Sequence, residues 1–375
     1  MGHTRTRPAG RTPATLKRLA VLSAGLTTFA AAAIASGRAE AQEFSVGAYG
    51  SVDYVASRTT QTEGPDLTAN QFSIPTLDIF LRGSASKWSF LAEVLFDIDE
   101  GNSIGVDLDR MQVSYEVADW LKIAGGRFHT SLGYYNTAYP QGGAVYLVPI
   151  DRPAVVDQHD HESIVPTSTV GLNFHGRLPW FDRRVSYDVD LTNGRGMQAD
   201  DLTNDIDWNN EKMLNLRLRY EINDIIFGAN ALVDWIPPRT DVTDPALAQP
   251  DALREQIFGA HIAYVESPWH MIAEAYFIQH IGPIRTQETF AGILELGYTL
   301  GMLTPYARYE FARFPSEKDV FWAATTQQKR GDYDSVSAGV KLVPNETFAF
   351  KLELELSHAD TDTLYRAAAQ VAFGF

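Results

Sequence analysis

From Phe44 to the last residue, apolar and polar positions alternate along the chain. Phe44, Val46, Ala48, Gly50, Val52 and Tyr54 fall on one face of an extended segment, and Ser45, Gly47, Tyr49, Ser51 and Asp53 fall on the other. Period two is the signature of a strand with one greasy and one wet face. Followed to the end, the rhythm predicts sixteen segments, starting near Phe44, Thr76, Trp88, Asp107, Leu121, Thr169, Val185, Met213, Ile225, Ile257, Trp269, Phe290, Leu303, Ser335, Phe348 and Leu364. The clearest is Phe348 to Ser357, where Phe348, Phe350, Leu352, Leu354 and Leu356 alternate with Ala349, Lys351, Glu353, Glu355 and Ser357.

The links between segments alternate as well. Short ones (84–87, 117–120, 221–224, 266–268, 300–302, 344–347) take turns with longer ones (56–74, 128–168, 193–212, 236–256, 279–289, 313–334). Antiparallel strands joined this way gather the short turns at one end and the long loops at the other, which is the plan of a transmembrane barrel with short periplasmic turns and long external loops. A soluble sandwich also alternates, but nothing in its packing imposes a short-long rule on its links. Tyr and Trp near strand ends on the apolar face (Tyr54, Trp88, Tyr115, Tyr220, Trp269, Tyr298, Tyr365) match interfacial aromatic girdles. The fold predicted is all-β: a transmembrane antiparallel β-barrel of sixteen strands, within a range of 14 to 18. The 334 residues from Gln42 onward give about 21 per strand and link, enough for membrane strands of about 9 to 11 residues.

The first forty residues do not alternate. Arg5, Arg7, Arg11, Lys17 and Arg18 precede an uncharged run from Leu19 to Ala35, and Ala39-Glu40-Ala41 offers small residues where a signal peptidase reads. Residues 1–41 are expected to be a cleaved signal peptide and 42–375 the barrel. Cleavage would remove six basic residues (the five above and Arg38) and Glu40, which takes the formal charge from -16 to -21. So acidic a chain does not suit nucleic acid, whose binding needs a basic surface. The absence of cysteine excludes disulfide frameworks, thiolate metal sites and cysteine nucleophiles.

Three stretches resemble a known family. The terminal segment Tyr365-Arg366-Ala367-Ala368-Ala369-Gln370-Val371-Ala372-Phe373-Gly374-Phe375 resembles the last strand of Gram-negative outer-membrane porins, in which the final aromatic residue is the signal read by the barrel assembly machinery. Leu303-Thr304-Pro305-Tyr306-Ala307-Arg308-Tyr309-Glu310 resembles a late porin strand, and Gly126 to Thr137 is similar to a strand-to-loop passage of the phosphate-selective type. The resemblance to the sixteen-stranded porins implies a homotrimer in outer-membrane lipid, a water-filled channel for passive diffusion of small hydrophilic solutes or ions, no enzyme activity and no cofactor. It also implies an assembly role for Phe375 and an inward fold of the loop after the fifth strand. Phosphate selectivity is not carried over, because only seven lysines follow Gln42.

The loop after the fifth strand is 128–168, the longest link, and it is expected to constrict the channel. Its Asp151, Arg152, Asp157, Asp160 and Glu162 are candidate constriction residues, facing wall arginines that are either Arg82 and Arg110 on early strands or Arg308 and Arg366 on late ones. Asp157 to Glu162 holds two imidazoles and three carboxylates, but neighbours on one short loop rarely converge on a metal, and His159 and His161 are assigned none. The predicted lumen face carries Asp53, Asp78, Glu93, Glu116, Asp188, Asp190, Asp234, Glu274, Glu295, Glu310, Glu353 and Glu355 against Arg82, Arg110, Lys122, Arg217, Arg219, Arg308, Lys341, Lys351 and Arg366. That balance favours cations weakly. Two rival classes are a barrel lipase, for which His175, His261 or His270 would need a lumen serine and an acid, and an adhesin or receptor barrel working through its external loops.

Overall fold

The computed structural model describes residues 43–62, 64–98, 104–140, 143–157, 163–196, 207, 210–238, 251–314, 331–359 and 362–375. The expected signal peptide 1–41 therefore lies outside the described residues.

Seventeen strands among them form one antiparallel sheet: β1 (Glu43–Gln61), β2 (Leu67–Ser73), β3 (Thr76–Ala85), β4 (Trp88–Ile98), β5 (Ile104–Ala118), β6 (Leu121–His129), β7 (Ser168–Leu178), β8 (Val185–Asn193), β9 (Lys212–Ile222), β10 (Ile225–Ile236), β11 (Leu253–Tyr264), β12 (Trp269–Ile281), β13 (Thr286–Tyr298), β14 (Leu303–Arg313), β15 (Tyr333–Leu342), β16 (Phe348–Ala359) and β17 (Asp362–Gly374). The sheet closes through β1. One edge of β1 pairs with β17, from Tyr49 opposite Gly374 to Gln61 opposite Asp362, and the other pairs with β3 and then β2. β2 and β3 follow each other along the same partner, interrupted at Ile74-Pro75, where proline has no N–H to give to a ladder. Counted as places around the wall, the barrel has sixteen strands.

All sixteen expected segments are strands. The expected link 56–74 is a correction: most of it is a hairpin, with β1 continuing to Gln61 and β2 returning beside it. Its Thr, Gln, Asn and Ser content reads as loop because the hairpin has no apolar face to alternate against. The link 279–289 likewise narrows to residues 282–285.

Side-chain parity runs opposite to that of a soluble barrel. On β16, Phe348, Phe350, Leu352, Leu354 and Leu356 are exposed on the outer face, while Ala349, Lys351, Glu353 and Ser357 are buried inside. The same holds for Phe44, Val113, Leu216, Leu294 and Val371, all exposed, against Asp53, Asp78, Arg217, Glu295 and Gln370, all buried. A continuous apolar outer surface of this extent requires an apolar surrounding. Trp88 packs on Tyr115 and Trp269 on Tyr298 at the short-turn end of the wall, the interfacial position expected of these residues.

The outer face of β16 yields a direct test. Leu352 is 61% exposed near the middle of its strand, so Leu352→Arg should destabilise the barrel in lipid by about 2–4 kcal/mol. Glu355→Gln, on the inner face of the same strand, keeps an acceptor for Arg366 and Ser335 and should cost far less. Equilibrium unfolding of both variants in vesicles checks this, and equal losses would show that the parity is misassigned.

Candidate functional site

Between β6 and β7 the chain leaves the wall at Thr130 and rejoins it at Ser168. The described residues of this loop are largely buried, and the contacts they make place them inside the barrel. Ser131 Oγ and N–H donate to Asp190 of β8 at 3.1 and 2.9 Å. The N–H groups of Tyr134 and Tyr135 converge on Glu274 of β12 at 2.9 and 2.6 Å. Ala154 N–H donates to Glu310 of β14 at 2.7 Å, and Ile150 N–H to Glu353 of β16 at 3.2 Å. Tyr146 Oη reaches Tyr49 Oη of β1 at 3.3 Å. Each wall partner belongs to the face opposite the apolar belt, and a segment touching β8, β12, β14, β16 and β1 from that face spans the interior.

Cations of the same face hold the loop's carbonyls. Arg217 donates to Gly133 O at 2.8 Å, Arg308 to Asp151 O at 2.7 Å, and Lys341 to Val145 O at 2.7 Å; Lys351 reaches Ala144 O and Pro149 O, both at 2.7 Å. A buried backbone group without a partner costs about as much as a lost hydrogen bond, and a bond to a charged group is worth about 1.5–3 kcal/mol. The irregular loop thus obtains from wall charges the partners it cannot find in a ladder. Gly133 shows how close the fit is. Its φ is +59°, and a Cβ there would overlap Glu274 and the hydroxyl of Tyr276.

Apolar contact completes the anchor. Leu132, Tyr135, Leu147, Val155, Val156, Ile164 and Val165 of the loop pack with Met213, Leu232, Ile236, Ile257, Ile272, Ile278 and Ile293 of the wall. This inner apolar patch was not foreseen. Its signal is present in β12, where Ile272, Tyr276 and Ile278 share a face with His270, Glu274 and His280 while Trp269, Met271, Ala273 and Phe277 occupy the other. Apolar residues at both parities mark a strand covered on both sides.

Of the two expected sets of wall arginines, the late one meets the loop. Asp151 lies 2.5 Å from Arg366 and its carbonyl accepts from Arg308, which also pairs with Glu310 at 2.7 Å. Arg82 and Arg110 make no hydrogen bond or ion pair to the described part of the loop: Arg110 pairs with Glu93, and the exposed Arg82 lies 4.5 Å over the ring of Phe80. Arg152 faces the loop rather than the wall, donating to Tyr139 O at 2.9 Å and lying 5.6 Å over the ring of Tyr135. Burial lowers its pKa, and half-buried Asp157 opposes that shift. Asp160 and Glu162, with His159 and His161, lie outside the described residues.

Only some of the lumen-face acids pair with bases. Asp188 pairs with Arg217 at 2.9 Å and Arg219 at 3.6 Å. Asp190 instead collects Ser131, Asn173 and Asn215, and Lys351 bonds loop carbonyls rather than Glu353. Asp53, Asp78, Glu93, Asp190, Asp234, Glu274, Glu295, Glu310 and Glu353 are all 4% exposed or less. Many of the acids that made the lumen look negative are therefore held by the loop or by neighbouring side chains, away from open water. As for the histidines, His175 bonds Asn173 at 2.5 Å and His270 bonds Glu295 at 2.5 Å, while among the described residues the ring nitrogens of His261 meet no hydrogen-bond partner and none of the three is joined to a serine.

No family model matches the chain, and no curated protein matches it in sequence. Solved structures do match in shape. The outer-membrane channel DcaP of Acinetobacter baumannii superposes with a TM-score of 0.62 at 10% identity, covering 90% of this chain and 99% of that one. The anion-selective porin of Comamonas acidovorans gives 0.59 at 9% identity, over 88% and 100%. The outer-membrane protein OmpT of Vibrio cholerae, folded in vitro, gives 0.57 at 9% identity, over 90% and 99%. Closure in sixteen places, the apolar exterior and these superpositions together show that the chain has the fold of the outer-membrane porins.

Proposed function

We propose that the mature chain, 42–375, is an outer-membrane channel through which small hydrophilic solutes or ions diffuse passively, and that the loop 130–167 sets its width. The carrying observation is a charged interior enclosed by an apolar exterior, with one loop hung across that interior on wall charges from β8 round to β1. The short turns would face the periplasm and the long links the outside, with 1–41 as the cleaved export signal. Asp151 with Arg308 and Arg366 forms the constriction on the loop side, and the exposed Arg82 stands on the wall over the ring of Phe80. The neighbours' titles, a channel and a porin, agree with this reading. Assembly as a homotrimer completes it.

The channel should prefer cations weakly. With the inner carboxylates engaged, that preference rests on the mature charge of -21, whose field gathers cations at the mouths and is screened within about 10 Å at 0.1 M salt. Reversal potentials across a sodium chloride gradient should therefore be small and cation-directed, and should shrink as salt rises. A clear anion preference would reject the assignment.

Loop shortening tests the constriction. Replacing Tyr134 to Pro166 by a short polar linker should raise single-channel conductance and the size of excluded solutes, with the barrel still heat-modifiable. If both stay at the full-length values, the loop does not set the width.

The C-terminus tests assembly. Phe375 exchanges backbone hydrogen bonds with Ala48 at 2.9 and 3.1 Å, yet its ring is 71% exposed beside Phe348 and Phe373. A ring outside any core contributes little to packing and remains available for recognition. Deleting Phe375 should reduce the folded protein in the outer membrane severalfold in cells while leaving refolding in detergent nearly unchanged. Unaltered outer-membrane levels would remove its signalling role.

A further inference from the structure

Besides the apolar patch of β9 to β13, the loop has a second resting place, on the seam where the sheet closes. Ala144 and Val145 are buried there against Tyr49 of β1, Phe80 of β3, Ala349 of β16 and Ala372 of β17. The ring of Tyr49 stacks on that of Phe80 at 4.7 Å and meets Tyr146 edge-on at 5.1 Å. Two glycines make room for these rings. Tyr49 is opposite Gly374 and Gly47 is opposite Phe80. A Cβ on Gly374 would stand 2.9 Å from the ring of Tyr49 and 3.0 Å from Val145 Cγ1, and one on Gly47 would overlap the ring of Phe80. This floor draws on β16, β17, β1 and β3, so it exists only once β1 has taken both of its partners.

The two sides of the lumen differ. Arg308, Lys341, Lys351 and Glu353 on β14 to β16 are 7% exposed or less beneath the loop. On the other side, Arg82 on β3 and Lys122 on β6 are exposed and Arg219 on β9 is half-buried. We propose that Tyr49 and Phe80, in the recess left by Gly47 and Gly374, form a seat that holds residues 144–149 back against the seam and so keeps the passage on the β3 to β9 side clear. They act as positioning residues, since they hold the loop rather than meet the solute. Lys341 and Lys351 tie the carbonyls of this segment, but an ammonium on a flexible stem fixes a reach and leaves orientation free. Stacked rings packed between two strands fix both. Without the ring of Tyr49 a cavity opens under Val145, and a polar lumen hydrates the backbone of a segment that leaves the wall. The open side is where such a segment has room to go. This consequence rests on the reading that the loop sets the width of the channel.

The test uses the mature full chain, folded in detergent and recorded in planar bilayers. Tyr49→Ala and Phe80→Ala should lower the mean single-channel conductance in sodium chloride and add brief closures, the opposite of the rise expected from shortening the loop, with the barrel still heat-modifiable. Tyr49→Phe keeps the ring and should give steady currents. Because the chain has no cysteine, Val145→Cys combined with Gly374→Cys can pair only with each other, and the 3.0 Å between the Cβ position of 374 and Val145 Cγ1 is within reach of a disulfide. Oxidation should cross-link the folded barrel, seen as a mobility shift that reduction reverses. Added to Tyr49→Ala, the same cysteine pair should restore steady current when oxidised and lose it again when reduced, which a general loss of stability would not do. Where an alanine variant fails to fold, Gly374→Ala, which crowds the recess without emptying it, takes its place and should produce the same closures. A folded double-cysteine chain that does not cross-link overturns the seat, as does a folded Tyr49→Ala barrel that conducts like the unaltered chain while shortening the loop raises conductance. If shortening the loop also changes nothing, it is the width reading that fails, and the cross-link alone then reports where Val145 lies.

Discussion

Inside hydrocarbon no water can replace a missing hydrogen-bond partner, so every backbone N–H and C=O of a membrane-spanning sheet must be bonded within the sheet. An open sheet fails this at its two edges, and closure is the remedy. Here the whole closure falls on β1, a strand of nineteen residues that holds β17 along one edge and β3 and β2 along the other. Its length follows from that double task. The chain's last residue joins the same seam, exchanging both backbone bonds with Ala48. Once the seam is closed, alternation along each strand leaves only one choice for the side chains, apolar outward and polar inward.

The inward choice creates the second problem, an interior crowded with ionisable groups. Burying a charge is costly unless it is paired and hydrogen-bonded. The loop 130–167 and the wall solve each other's deficits. Carboxylates of Asp190, Glu274, Glu310 and Glu353 accept the loop's N–H groups, and Arg217, Arg308, Lys341 and Lys351 donate to its carbonyls. The apolar inner patch of β9 to β13 adds packing that holds the loop to that side. Charges that look, one by one, like the lining of a water-filled pore are in large part the mounting of a rigid insert. This arrangement also explains why counting lumen acids overstates the field that a passing ion meets.

Much of the barrel was legible in the sequence, because strand period, link length and girdle residues are local properties that lipid and water impose on every strand separately. All sixteen segments and their inward and outward parity could be named from residues alone, whereas the inward course of the loop after the fifth strand was an expectation taken from the porin resemblance. The hairpin of β1 and β2 could not be named, since beyond the apolar band alternation has no greasy face to reveal it. Which arginines meet Asp151 was also undecided, because strands far apart in the chain become neighbours across a lumen only when the sheet closes. That Arg366 and Arg308 are the ones, and that Asp190 serves Ser131 rather than Arg217, are consequences of cross-strand register and of where the loop lies. Alternation assigns a side chain to a face; its partner is decided by a distance between residues that the sequence does not contain.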